Sequence, residues 1–351
     1  MDRYIGLDVH AQSTAVGIIS ETGRRCASML VETSAPALIE MLKNVPGTRR
    51  LVLEEGTQSE WLSQVLTPYV HELVVVCPTK QTGKVKSDRE DAFARAEDLR
   101  INAKVTRVFK PSKQALPLRE ALRLYVAMNK DVVRAKNRFK AVLRSRGVVG
   151  LTKDIYDPEP EDLEKVLQQV PQSVAFSAEA MLEEIYMLEN LRSRASELML
   201  CEAEKSPAFK LLMTVPAIGP TRAAQLLATV VTPERFRTSH QFWSYCGLGI
   251  ETVVSAEHSK GRKGWVRVRE PMTRGLKFGN PMLKNVFKGA AELITRCMKE
   301  HPLHHHYQRL LKNGMKENLA RLTLARKLAA ITLAVWKTKK EYDPTKHKTF
   351  E

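Results

Sequence analysis

The way apolar periodicity changes along the first hundred residues restricts the fold more than anything else in the chain. Residues 4–8, 14–20 and 25–31 are three short runs rich in aliphatic and β-branched side chains, and Glu21-Thr22-Gly23 separates the second from the third. Runs of this length with tight connections predict an antiparallel meander. The period then lengthens to that of a helix over residues 35–43. Residues 50–54 follow as a strand that ends in acids, 61–70 as a helix and 72–76 as a buried strand. A further helix opens at Ser87 and runs to about residue 103, and 106–109 form a last short strand. Three strands followed by alternating helix and strand predict an α/β domain over residues 1–110.

The rest of the chain reads differently. Residues 118–146 are helical and basic, carrying Arg119, Arg123, Lys130, Arg134, Lys136, Arg138, Lys140, Arg144 and Arg146. A second long helix, residues 177–204, places Met181, Leu188, Leu191, Ala195 and Leu198 at heptad-like spacing, with Glu184 interrupting. Such a stripe serves either packing within the chain or an intermolecular coiled coil. Residues 111–205 are therefore a basic helical, coiled-coil-like region. Residues 206–340 form a mainly α-helical C-terminal domain, with helices up to 230, at 241–245 and at 317–337 and a basic loop at 261–264. Residues 341–351 are a charged tail.

Composition narrows the partners. Hydrophobic residues make up 43% of the 351, enough to bury cores and exclude wholesale disorder. A formal charge of +17 calls for a polyanion, without separating DNA from RNA. Five cysteines with no close pair point to neither a disulfide framework nor a zinc site, and fit a reducing cytoplasm. No apolar run is long enough to cross a bilayer, so no membrane partner is expected. Aromatics at 6% provide no base-stacking platform. His301, His304, His305 and His306 read as a surface feature, lacking an acid or cysteine at ligand spacing.

Carboxylates carry the chemistry. Phosphodiester cleavage with divalent metal ions requires several of them to converge, and the ends of neighbouring strands deliver residues to one rim. Asp8 ends the first apolar run and Glu54 the fourth, with Glu55 as the neighbouring alternative. Asp88 and Asp91 are three apart, so they share a helix face. Ser87 and Glu90 have capping-box spacing, which starts that helix at Asp88.

These segments in this order, Gly6-Leu7-Asp8-Val9-His10, Leu53-Glu54-Glu55-Gly56 and Lys86-Ser87-Asp88-Arg89-Glu90-Asp91-Ala92, resemble the DEDD transposases of bacterial insertion sequences, a group that includes the Piv-type invertases. The likeness continues in Val215-Pro216-Ala217-Ile218-Gly219-Pro220, where Ala217 replaces a family glycine. It extends to Phe236, Tyr245-Cys246-Gly247-Leu248-Gly249 and Ser255, and to Phe278-Gly279-Asn280-Pro281. The resemblance implies a ribonuclease-H-like (RuvC-like) α/β fold for the N-terminal domain, although the strand and helix order alone admits other α/β folds.

It further implies Mg²⁺ (or Mn²⁺) as cofactor, held by Asp8, Glu54, Asp88 and Asp91. Ser255 would be a nucleophile that links covalently to DNA, with Ser259 as the rival. The Val215–Pro220 turn resembles a helix-hairpin-helix, whose backbone amides hold phosphate. Implied partners are double-stranded DNA, a structured guide RNA, and further copies of the chain in a dimer or tetramer. Lys86, Arg89, Arg134, Arg138, Lys260, Arg262, Lys263, Lys277 and Lys284 are the candidate nucleic-acid contacts. A junction-resolving or hydrolytic nuclease, which needs no serine, and a non-catalytic nucleic-acid organiser are the alternative functions.

Overall fold

Alternation of small and aliphatic residues builds β1 (Asp2–Val9), β2 (Ser13–Ser20) and β3 (Arg25–Glu32) into an antiparallel meander. The structure is a computed structural model describing residues 1–78, 87–103, 105–156, 159–253, 258–261, 264–267, 272–275 and 278–347. It divides into two compact units, Met1–Gln114 and Ala115–Glu351. In the first, the meander is followed by α1 (Ala35–Lys43), β4 (Thr48–Glu54), α2 (Ser59–Leu66), β5 (Glu72–Val76) and α3 (Asp88–Arg100). The sheet order is β3-β2-β1-β4-β5, with β1–β4 and β4–β5 parallel.

Side chains alternate across this sheet. Ile5, Leu7, Val16, Ile18, Leu51, Leu53 and Val75 face α1 and α2, against Leu38, Leu42, Leu62 and Leu66. On the opposite face Val52, Val74 and Val76 meet Leu99, and Ile19 meets Phe93 and Ala96, all from α3. Gly6 and Gly17, which pair across β1 and β2, let α3 rest on bare backbone. A Cβ on Gly6 would lie 1.9 Å from the Ala92 carbonyl oxygen, and one on Gly17 2.8 Å from the Phe93 nitrogen. Two expected elements are shorter than read. The helix expected over 61–70 ends at Leu66 and tightens into a 3₁₀ turn, Thr67–Tyr69, at Pro68, which has no N–H to continue it. The strand expected at 106–109 is a single bridge from Arg107 to Val76, where β5 ends.

The second unit contains α4 (Leu116–Arg144), α5 (Pro160–Leu167), α6 (Gln172–Glu204), α7 (Ala208–Met213), α8 (Pro220–Val230) and α9 (Ser239–Tyr245). Four short strands follow, β6 (Ile250–Val253), β7 (His258–Gly261), β8 (Gly264–Arg267) and β9 (Met272–Gly275). The chain continues through α10 (Pro281–Cys297), α11 (Pro302–Lys312) and α12 (Glu317–Thr338). Helices α4 and α6 form an antiparallel hairpin tied by Lys136–Glu189 (2.6 Å) and Arg138–Glu184 ion pairs. The face α6 buries is Val174, Ala178, Leu182, Ile185, Ala195, Met199 and Ala203. Of the heptad positions read from the sequence, Ala195 is buried while Leu191 and Leu198 are exposed.

The remaining helices enclose one large core that includes Phe209, Leu212, Phe242, Phe287, Leu324, Leu328 and Trp336. The unit is mainly helical, as expected, but β7 and β8 make a hairpin whose Gly261 pairs with Gly264, and β6 pairs with β9. Strands of four residues carry too little alternation to register in the sequence. Among the described residues, no helix is long and apolar enough to cross a membrane.

Candidate active site

The strand alternation that buries Leu7 under α1 and α2 turns Gly6 and Asp8 to the α3 face. In β4 it likewise puts Glu54 on the face of Val52. Both acids end parallel strands at the same edge. Because Ala92 rests on Gly6, the preceding turn of α3 carries Asp88 and Asp91 toward Asp8. His10 completes the junction, with Nε2 3.3 Å from Asp8 Oδ2 and 3.3 Å from Asp88 Oδ2. Burial raises the Asp8 carboxyl above its ordinary range; His10 opposes the shift, and the negative charges of Asp88 and Asp91 add to it. Among the described residues, Asp8, His10 and Asp88 form a group whose ligand atoms all lie within 4.8 Å of one another.

Glu54 has a different immediate partner, an ion pair with Arg95 of α3, whose side chain is 7% exposed and also lies 3.6 Å from Asp98. Glu55 turns elsewhere, to Lys110 Nζ at 2.5 Å and to the Ser59 hydroxyl, which donates at 3.1 Å. The expected capping box does not form. Ser87 occupies the N-cap but makes no side-chain cap bond, and Glu90 instead accepts two bonds from Arg25, at 2.9 and 2.6 Å. A bidentate charged pair outweighs a neutral cap. The sequence reading missed His10 and Arg95. His10 lies two residues past Asp8, and Arg95 lies seven past Asp88, two helical turns along the same face. Both are periodicity signals.

In the second unit, Asn280 caps α10 by accepting from the Leu283 N–H at 3.1 Å, with Pro281 in the first turn, as the glycine–asparagine element suggested. Gly279 (φ +139°) crosses Gly247 (φ +65°) so closely that a Cβ on Gly279 would lie 2.4 Å from the Gly247 Cα. Arg326 donates to the Leu248 carbonyl at 2.7 Å, and Trp243 donates to that of Arg326 at 2.9 Å. These contacts fasten the chain just before β6. Between α7 and α8, Ala217 has φ +60°, and its carbonyl accepts from Arg222 at 2.8 Å.

Ser255, Lys86, Arg262, Lys263 and Lys277 lie outside the described residues. Lys260 is in β7, opposite Trp265. Arg89 lies 5.9 Å from the Phe93 ring, Arg134 pairs with Asp131, and Arg138 pairs with Glu184. Lys284 lines a groove of about 610 Å³ between α10 and α12, together with Lys288 and Arg321. The histidines expected at the surface divide. His304 is buried, with Nδ1 3.3 Å from the Ile294 carbonyl, and His301 caps α11 by accepting from the Leu303 N–H at 3.1 Å; His305 is exposed. His306 is held neutral by burial, its pKa lowered to about 4.

A half-buried Asp8 facing two more aspartates is a donor set of hard oxygens plus one imidazole nitrogen, and its repulsion is relieved by a divalent cation. These residues fit such an ion.

A family model for DEDD transposases of the IS110 type matches residues 5–146, and a second, for the transposase IS116/IS110/IS902 family, matches residues 209–308. Together they cover most of the chain and define it as a transposase, a DNA recombination enzyme that acts on DNA. It belongs to the IS110-type transposase family. A search of curated proteins gives no match.

Proposed function

We propose that this transposase cuts and rejoins double-stranded DNA by metal-dependent phosphoryl transfer. Asp8, Glu54, Asp88 and Asp91 are the metal-binding carboxylates and Ser255 is the nucleophile. The reading is carried by the convergence of Asp8 with Asp88, within the field of Asp91, at the edge where β1 and β4 end. The strand order, an antiparallel meander extended by two parallel strands, supports a ribonuclease-H-like origin for that edge. When bound, Mg²⁺ or Mn²⁺ neutralises charge on the phosphate and lowers the pKa of the attacking hydroxyl. The carboxylates hold that charge in place. As the Ser255 oxygen bonds to phosphorus and the bond to a deoxyribose oxygen breaks, the serine gives up its proton and the departing oxygen takes one up, so that the exchange leaves a serine phosphodiester and a free deoxyribose hydroxyl. Attack by a second strand end on the serine phosphodiester reverses the exchange without loss of bond energy.

A carboxylate has two oxygens, so Arg95 holds Glu54 through one of them and orients the other toward the ion. Lys86, Arg89, Arg134, Arg138, Lys260, Arg262, Lys263, Lys277 and Lys284 contact phosphates of DNA or of a structured guide RNA, and a dimer or tetramer brings two DNA partners together.

The test is a trapping assay on the full chain with its flanking DNA, co-expressed RNA and Mg²⁺, denatured and examined for protein attached to a DNA end. The adduct is expected from the parent protein and lost in both Ser255→Ala and Asp8→Ala. Cleavage that survives Ser255→Ala without an adduct, yet still needs Asp8, replaces the serine mechanism with water-mediated hydrolysis.

A further inference from the structure

We infer that His10 is an inner ligand of the metal, so that the centre is a mixed nitrogen–oxygen site rather than an all-carboxylate one. The inference rests on the carboxylate reading above. His10 Nε2 lies 3.3 Å from Asp8 Oδ2 and 3.3 Å from Asp88 Oδ2. Two donors each about 2.1 Å from one ion lie roughly 3–4 Å apart, so these separations already match neighbouring positions in one coordination shell.

The position is held from the backbone outward. The His10 N–H donates to the Ser13 carbonyl at 3.0 Å, and its own carbonyl accepts from the Thr33 hydroxyl at 2.9 Å. Both backbone groups are thus tied into the rim joining β1, β2 and β3. Half of the side chain is exposed, and its Nε2 lies between the two carboxylates. Glu54, by contrast, is engaged by Arg95, so the immediate donor set at Asp8 is Asp8, His10 and Asp88.

A nitrogen donor has a selective consequence. Carboxylate and water oxygens suit Mg²⁺ and Mn²⁺ alike, whereas imidazole suits later first-row ions such as Fe²⁺ and Zn²⁺, so His10 tilts the centre away from Mg²⁺ and toward those ions, with Mn²⁺ as the paramagnetic probe. Replacing His10 by Gln should weaken Mn²⁺ binding by at least the ~10-fold that loss of an outer-shell partner costs, and Mg²⁺ binding by less.

The deciding measurement is pulsed electron paramagnetic resonance of Mn²⁺ bound to the full chain, read for modulation by ¹⁴N. Parent protein, His10→Gln and Asp8→Asn are compared, and protein carrying ¹⁵N-histidine provides a check that alters no contact. A ¹⁴N coupling that is lost in His10→Gln and shifts with ¹⁵N-histidine is the expected result. Mn²⁺ that binds in an Asp8-dependent way without nitrogen coupling overturns the ligand assignment and leaves the carboxylate centre standing. Absence of any Asp8-dependent Mn²⁺ binding overturns both.

Discussion

Ala217 has φ +60°, a left-handed conformation in which its Cβ crowds the following carbonyl. The turn it occupies is the one where the family resemblance expects glycine. Ala217→Gly should therefore stabilise the protein by about 1 kcal/mol, raising Tm by roughly 2–4 °C in a unit of this size, as read by calorimetry. A second residue sets a pH dependence. Burial, with the charges of Lys327 and Arg309 adding, lowers the His306 pKa to about 4. The unfolded chain takes up this proton near pH 6.5, while the folded protein resists until about pH 4, so stability falls as pH drops across that window. The full shift corresponds to about 3 kcal/mol, reduced to on the order of 1 kcal/mol because the ring is only partly buried. Melting curves of parent and His306→Gln should diverge between pH 6.5 and 4, with the parent losing more; parallel curves would contradict the assignment.

At the scale of elements, the approach of α3 to the sheet decides whether the aspartates meet. Gly6 and Gly17 permit it, because the helix backbone occupies the space a Cβ would need. Gly6→Ala should cost about 2–3 kcal/mol as overpacking. It should also move Asp88 and Asp91 away from Asp8 and abolish the metal response described next. Millimolar Mg²⁺ should raise the Tm of the parent, since a ligand bound only by the folded state stabilises it, and leave Asp8→Asn unmoved. A Gly6→Ala protein that keeps its full Mg²⁺ shift would show that the helix position does not control the site. The hairpin of α4 and α6 teaches a related lesson. Residues at heptad spacing in the sequence include Leu191 and Leu198, which remain exposed, while the buried stripe runs through Leu182, Ile185, Ala195 and Met199. A 33-residue helix with apolar residues on more than one face offers two stripes, and only its partner selects one.

For the whole molecule, charge dominates what can be measured first. A net +17 predicts association with DNA through counterion release. If six or more phosphates are neutralised, affinity should fall on the order of 10³-fold or more between about 50 and 200 mM salt. A flat salt dependence would mean that the basic residues are spent on internal pairs, as Arg123 is on Glu120.

Periodicity, charge and short motifs determined much by themselves. The α/β meander, the basic helices and the helical second unit were legible because each depends on residues close together in sequence, whereas the four acids were picked out as a set by the family resemblance. The short strands β6 to β9 were not, because four residues cannot display a period. Tertiary structure alone decided which acid meets which neighbour. It brought His10 between Asp8 and Asp88, gave Glu54 to Arg95 and Glu55 to Lys110, and turned Glu90 away from its cap to Arg25. The meeting of His10 with Asp88 and of Glu54 with Arg95 depends on where α3 crosses the sheet, set by packing between residues some eighty positions apart such as Gly6 and Ala92, so periodicity shows the face each residue shares but not the partner it meets there.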